Sequence, residues 1–208
     1  MREGPGGDTL DAMIQVRIHG RGGQGVVTAA EMLSVAAFEE GHYAQAFPSF
    51  GSERTGAPVV AFCRIDDHEI RTREPIVDPD ALIIQDPTLI HQVDLFAGLR
   101  PDGYILVNST RSFDELGLGE LAGRFRHERM LTVPATELAL QCIGVPIPNT
   151  VLLGGLCACS EIISLDSLAA AVRGRFPPKQ AEANIAAARE AHAWVTTEMG
   201  ELAHAPAD

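Results

Sequence analysis

The chain has no CxxC pair. Its four cysteines are Cys63, Cys142, Cys157 and Cys159. Iron–sulfur clusters and structural zinc sites draw on several closely spaced thiolates, so neither is expected here. Free thiols buried in a reducing compartment are the plain reading of these four. No run of about 18 apolar residues occurs, so no membrane span is expected. The first twelve residues are rich in glycine, carry mixed charge and contain no apolar segment, so they do not read as a signal peptide. A cytoplasmic location is expected. Basic residues are in deficit: 16 Lys and Arg face 28 Asp and Glu, a net charge of −12. Nucleic-acid binding depends on basic patches, so it is not expected. Aromatic residues make up only 5%. With alanine and glycine plentiful, that composition suits helices packed on a sheet more than a β-sandwich.

What the chain does contain is one domain's worth of apolar sequence, with 208 residues of which 46% are hydrophobic. The predicted organisation is a flexible leader over 1–12, one α/β domain over 13–199 and a flexible tail over 200–208. Ile14–His19 alternates and is β-branched, predicting a first strand. Val26–Glu40 places Val26, Ala29, Ala30, Leu33, Ala36 and Ala37 at helical spacing, with Gly41 as terminator. Strands follow at Tyr43–Phe47, Val59–Ile65, Ala81–Gln85, Tyr104–Val107 and Arg129–Val133. Asp86-Pro87 suits the cap and first turn of a helix. The last third predicts helices over Thr136–Ile143, Thr150–Ile163, Asp166–Arg173 and Lys179–Met199, punctuated by Pro146, Pro148, Pro177 and Pro178. Strands alternating with helices imply a three-layer α/β fold. Its sheet is mainly parallel and Rossmann-like, with helices on both faces and a helical C-terminal part.

The strongest motif is Gly20-Arg21-Gly22-Gly23-Gln24-Gly25, a GxGxxG that follows a strand and opens a helix. Glycines let the backbone turn sharply and let a ligand approach it. The helix start then offers free N–H groups and a positive dipole end to an anion. Arg21 adds a cation beside the loop. An unliganded strand-to-helix turn would use the same glycines. The acidic residue that grips a ribose diol is expected at the end of the second strand. That strand ends in Gln45-Ala46-Phe47-Pro48, so an ordinary NAD dehydrogenase is disfavoured.

A second segment, Phe47-Pro48-Ser49-Phe50-Gly51-Ser52-Glu53-Arg54-Thr55-Gly56, would lie at the same sheet edge. Ser52 and Arg54 are candidate ligand contacts, and Glu53 and Arg54 candidate interface residues. The plain alternative is a solvated connecting loop. Other candidates are weaker. His19 reads as a hydrogen-bonded strand-end histidine, and His42 and His68 as surface residues. Cys157 and Cys159 point apart on a helix. Asp66-Asp67-His68-Glu69 reads as a solvated turn. Neither GxSxG nor GxxxxGK[ST] occurs. No catalytic and no metal-binding residue is assigned.

The stretches GRGGQGVVTAAEML and FPSFGSERTGAPVVAFCRI resemble the gamma subunit of pyruvate:ferredoxin and related 2-oxoacid:acceptor oxidoreductases. The resemblance runs from about Met13 to Trp194 and takes in Asp80–Ile84, Pro148-Asn149-Thr150 and Phe176–Asn184. It implies a chain that is non-catalytic alone, within a complex that converts a 2-oxoacid to acyl-CoA. Thiamine diphosphate, magnesium and 4Fe-4S clusters would belong to alpha-, beta- and delta-type partners, with ferredoxin or another acceptor taking the electrons. Gly22, Gly23, Gln24 and Gly25 would face the nucleotide part of coenzyme A, and Arg21 one of its phosphates. The alternative from the residues alone is a stand-alone Rossmann-like oxidoreductase using a nucleotide cofactor. A third reading is a scaffold with an empty glycine loop.

Overall fold

The computed structural model describes residue 10 and residues 12–49 and 56–204. Strand β1, Ile14–Arg21, sends Val16 and Ile18 to one face and Arg17 and His19 to the other. Helix α1, Val26–Glu39, follows it. Gly41 ends α1 at φ 93, where the N–H groups of Gly41 and His42 return to the carbonyls of Phe38 and Ala37. The remaining strands are β2 (Tyr43–Pro48), β3 (Pro58–Asp66), β4 (Ala81–Ile84), β5 (Tyr104–Asn108) and β6 (Met130–Val133). The remaining helices are α2 (Gly119–Ala122), α3 (Ala135–Cys142), α4 (Asn149–Ser160), α5 (Leu165–Arg175) and α6 (Pro178–His204). Pro87–His91 forms a 3₁₀ turn rather than an α-helix, with Asp86 capping Thr88 N–H as its position suggests.

The six strands lie in the order β2-β3-β1-β4-β5-β6. β1, β4, β5 and β6 are parallel, while β3 is antiparallel to both β1 and β2. The sheet is therefore mixed, with β3 alone running against the rest. This corrects one step of the sequence argument. The strand beside β1 on the α1 side is β3, not β2, so the end of β2 is not where a ribose reader would stand. The lack of an acid there excludes less than the pattern suggests.

The two faces are covered unequally. The larger core joins Val16, Ile18, Ala61, Cys63, Ile83 and Leu106 to α1 and α3–α6. The smaller packs Leu82, Ile84, Ile105 and Val107 under Leu89, Leu95, Leu116, Leu118 and Phe125. Arg17 closes that side: its Nη2 donates to the carbonyls of Leu95 and Ala97, each at 2.7 Å. Helix α4 is buried along most of its length and lies against α6. The contact is so close that a Cβ on Gly154 would stand 2.2 Å from the Ala188 carbonyl oxygen. α6 continues through Gly200 to His204, so the helix reaches into the expected tail. No helix among the described residues is long and apolar enough to cross a membrane.

Candidate functional site

The glycine segment does two jobs. Gly20 belongs to β1, where a Cβ would meet Val26 Cγ2 at 2.7 Å and Gln24 Oε1 at 2.9 Å. Gly22 continues the pairing with the chain entering β3: its N–H donates to the Ala57 carbonyl at 2.9 Å, and its carbonyl accepts from Gly56 at 3.2 Å. The turn itself is made at Gly23 and Gly25, with φ of 98 and 73. These are left-handed values that side chains other than glycine's avoid. Gly25 is the N-cap of α1, with no side-chain cap and no acid in the first turn. The first helical bond runs from Ala29 N–H to the Gly25 carbonyl at 2.9 Å. Val26, Val27 and Thr28 thus have no intrahelical acceptor for their N–H groups.

The polar side chains of the segment turn inward. Gln24 Oε1 accepts from Arg21 N–H at 2.7 Å, and Gln24 Nε2 donates to Asp86 Oδ2 at 3.0 Å. Arg21 Nε donates to the same Asp86 oxygen at 3.1 Å. Its Nη1 reaches the Gly56 carbonyl at 3.0 Å, and its Nη2 reaches Thr88 Oγ1 at 2.7 Å and Gln92 Oε1 at 3.1 Å. Burial pushes the Asp86 pKa up, but hydrogen bonds from Thr88 and Gln24 and the charge of Arg21 outweigh it, leaving the carboxylate below its ordinary value. Arg21 therefore locks the turn to the 3₁₀ segment. Its guanidinium is shared among Asp86, Gly56, Thr88 and Gln92 rather than standing free beside the loop.

The uncapped start of α1 opens on a cavity of about 320 Å³. Its lining combines Gly23, Gly25, Thr28, Asn149, Arg175, Gln180 and Asn184 with the apolar side chains of Ile143, Val145, Ile147 and Phe176. No acidic side chain among the described residues lines it. Arg175 makes no ion pair among the described residues, whereas its neighbour Arg173 is held by Glu182 at 2.9 Å. Asn149 Nδ2 donates to the Gly25 carbonyl at 3.3 Å and its Oδ1 accepts from Thr150 N–H at 2.8 Å. Asn184 is 6% exposed; its Nδ2 donates to the Gln180 carbonyl at 2.9 Å, while its Oδ1 accepts nothing from the described residues.

Of the expected site residues, Gly23 and Gly25 line this cavity. Gly22, Arg21 and Gln24 instead build the turn behind it. Ser52, Glu53 and Arg54 lie outside the described residues. Thr28, Asn149, Arg175, Phe176, Gln180 and Asn184 were not singled out as ligand contacts in the sequence. The signal lay in two late stretches, Pro148–Thr150 and Phe176–Asn184, which the fold brings to the glycine turn.

The weaker candidates resolve as follows. His19 is driven down to about 4 by burial and by Arg17, so it is neutral near pH 7, and its Nε2 has no partner among the described residues. The ring was expected to be hydrogen-bonded at the strand end, and Nε2 makes no such bond with the described residues. His42 is not a surface residue; its side chain is 10% exposed and its Nδ1 meets Asp67 Oδ1 at 2.7 Å. Asp67 Oδ2 also accepts from Leu10 N–H at 2.7 Å, so this turn ties the chain entry down rather than standing free in solvent. Burial pushes the thiols of Cys157 and Cys159 up to about 12, which leaves them unreactive. No group of three or more His, Cys, Asp or Glu side chains among the described residues is arranged to hold a metal ion.

This is an α/β domain with a mixed sheet, in which a glycine turn joins the first strand to the first helix beside a cleft with no acidic side chain among the described residues. Residues 15–194 match the family model described as pyruvate ferredoxin/flavodoxin oxidoreductase. The chain is 52% identical over 161 residues to "Pyruvate synthase subunit PorC" of Methanosarcina barkeri, covering 77% of this chain and 85% of that one. It is 45% identical over 190 residues to "Pyruvate/ketoisovalerate oxidoreductases common subunit gamma" of Pyrococcus furiosus, covering 91% and 100%. The pyruvate oxidoreductase subunit PORC of Thermotoga maritima superposes with a TM-score of 0.72 at 35% identity, covering 87% of this chain and 96% of that one. The fold also matches part of the 2-oxoglutarate:ferredoxin oxidoreductase of Magnetococcus marinus, with a TM-score of 0.65 at 16% identity over 89% of this chain and 31% of that one. The chain belongs to the pyruvate ferredoxin/flavodoxin oxidoreductase family. Within it, this is a gamma subunit of a multi-subunit 2-oxoacid:ferredoxin oxidoreductase.

Proposed function

We propose that this subunit binds coenzyme A at the mouth of the glycine turn and presents it to partners that carry out the redox chemistry. The complex then converts a 2-oxoacid to acyl-CoA. Thiamine diphosphate with magnesium, and the 4Fe-4S clusters, belong to alpha-, beta- and delta-type subunits in this reading. Ferredoxin or another acceptor takes the electrons, and the assembly works in the cytoplasm. The observation that carries the reading is the uncapped N-terminus of α1, whose residues Gly25 and Thr28 line a cavity without an acidic side chain among the described residues. Such a terminus favours an anionic ligand. The Magnetococcus marinus enzyme, part of whose fold this chain matches, is described with coenzyme A and succinyl-CoA bound.

The chain's own contribution is binding and orientation. Asp86, Arg21 and Gln24 hold the turn in shape, and Gly23 and Gly25 keep its surface free of side chains. Ser52 and Arg54 are assigned to ligand contact, and Glu53 and Arg54 to the contact with the catalytic subunits. The test is to purify the complex from co-expressed subunits with and without this chain. The expected result is CoA-dependent 2-oxoacid oxidation that is lost without it and restored on adding it back, with none from the chain alone. Full CoA-dependent turnover by the other subunits without this chain would refute the reading.

A further inference from the structure

The guanidinium of Arg21 is already engaged inside the turn. That guanidinium donates to Asp86, Gly56, Thr88 and Gln92, and releasing it would undo the turn it braces. Among the described residues that line the cavity, one side chain is cationic: Arg175, the last residue of α5. It is exposed and is without an ion pair among the described residues, in a chain with a net charge of −12. Arg175 and the uncapped start of α1 line one cavity that has no acidic side chain among the described residues, so two independent sources of positive potential meet there. Guanidinium and helix N–H groups are the two donor sets that recognise phosphate.

The rest of the lining narrows the ligand. Asn184 is nearly buried and offers an unfilled acceptor, Oδ1, which a phosphate oxygen cannot satisfy and an amine or hydroxyl can. Ile147 and Phe176 add apolar surface to the same lining. A ligand carrying phosphate, a hydrogen-bond donor and a flat or apolar part fits all three; inorganic phosphate fits only the first. We infer that Arg175 is the phosphate-binding cation of this subunit, acting with the N–H groups of Val26–Thr28 on the phosphorylated nucleotide end of a coenzyme A-type ligand. The inference rests on the coenzyme A reading above and assigns it to a residue outside the glycine motif.

The experiment compares the assembled complex carrying wild-type subunit, Arg175→Ala or Arg175→Lys. Two thiol substrates are used: coenzyme A, and pantetheine, which lacks the phosphates and the nucleotide. Loss of one charged hydrogen-bonding group predicts a rise of about 10- to 100-fold in KM for coenzyme A with Arg175→Ala. KM for pantetheine and for the 2-oxoacid should stay unchanged, as should kcat at saturating coenzyme A, and Arg175→Lys should recover most of the loss. A merely structural role would raise both thiol KM values together, which would overturn the assignment. An unchanged coenzyme A KM in Arg175→Ala would also overturn it. Hydrogen exchange separates the two layers: if coenzyme A protects residues 23–28 in the wild-type complex but Arg175→Ala is silent, only the Arg175 role fails. If it gives no protection at all, the underlying reading fails too.

Discussion

Asn149, the first residue of α4, donates its side-chain amide to the carbonyl of Gly25, the residue that caps α1. One hydrogen bond of 3.3 Å therefore pins two helix starts together at the mouth of the cavity. The contact leaves no room for a side chain on the glycine: a Cβ at Gly25 would lie 2.4 Å from Asn149 Nδ2.

Gly25→Ala is accordingly expected to destabilise the subunit by about 1–3 kcal/mol, from left-handed strain and the clash together. Asn149→Ala in the same chain should return only the clash component. Thermal denaturation of the single and double variants separates the two. Full recovery in the double variant would mean that the backbone conformation costs nothing.

Gly154→Ala tests the packing of α4 on α6. The added methyl would meet the Ala188 carbonyl oxygen at 2.2 Å, backbone rather than a movable side chain. Overpacking of this kind costs about 1–3 kcal/mol or more. Urea unfolding should show a lower midpoint with an unchanged slope. An unchanged midpoint would show that the two helices can separate freely.

Much of the fold was legible because its signals are local. β1 and α1 declare themselves through alternation, helical spacing and the glycines between them. The position of β3 was not legible, because strand order and direction depend on partners far along the chain. The role of Arg21 was hidden for the same reason: Asp86 is 65 residues away, and a motif shows the cation but not the acid that occupies it. Arg175 sits in an amphipathic helix end that reads as solvated surface until the turn between α5 and α6 is folded back on α1. Helix α2, with four residues, is too short to show a period.

Gln85 offers a test of opposite sign. It has no exposed surface, and neither Nε2 nor Oε1 has a partner among the described residues. Leaving a buried polar group unsatisfied costs about 1–3 kcal/mol, and an apolar replacement of similar shape removes that cost. Gln85→Met is expected to leave the melting temperature unchanged or raise it. A fall of several degrees would show that the amide is satisfied in solution by a tightly held water or ligand atom.

His19 gives a pH signature. Its pKa in the folded chain is about 4, against about 6.5 when unfolded, because burial and Arg17 oppose its charge. The unfolded chain takes up a proton first as pH falls. The contribution of neutral His19 is thus whole above about pH 6.5 and is lost as pH drops toward 4. His19→Gln should flatten the stability profile in that window. Identical slopes for the two proteins would contradict the burial of the ring.

The most direct measurement is amide hydrogen exchange by mass spectrometry on the assembled oxidoreductase, with and without saturating coenzyme A. Slower exchange is expected in a peptide spanning Gly23–Thr28, with no change at the far sheet edge around Tyr104. Equal exchange at Gly23–Thr28 in both states would contradict a ligand held by the start of α1.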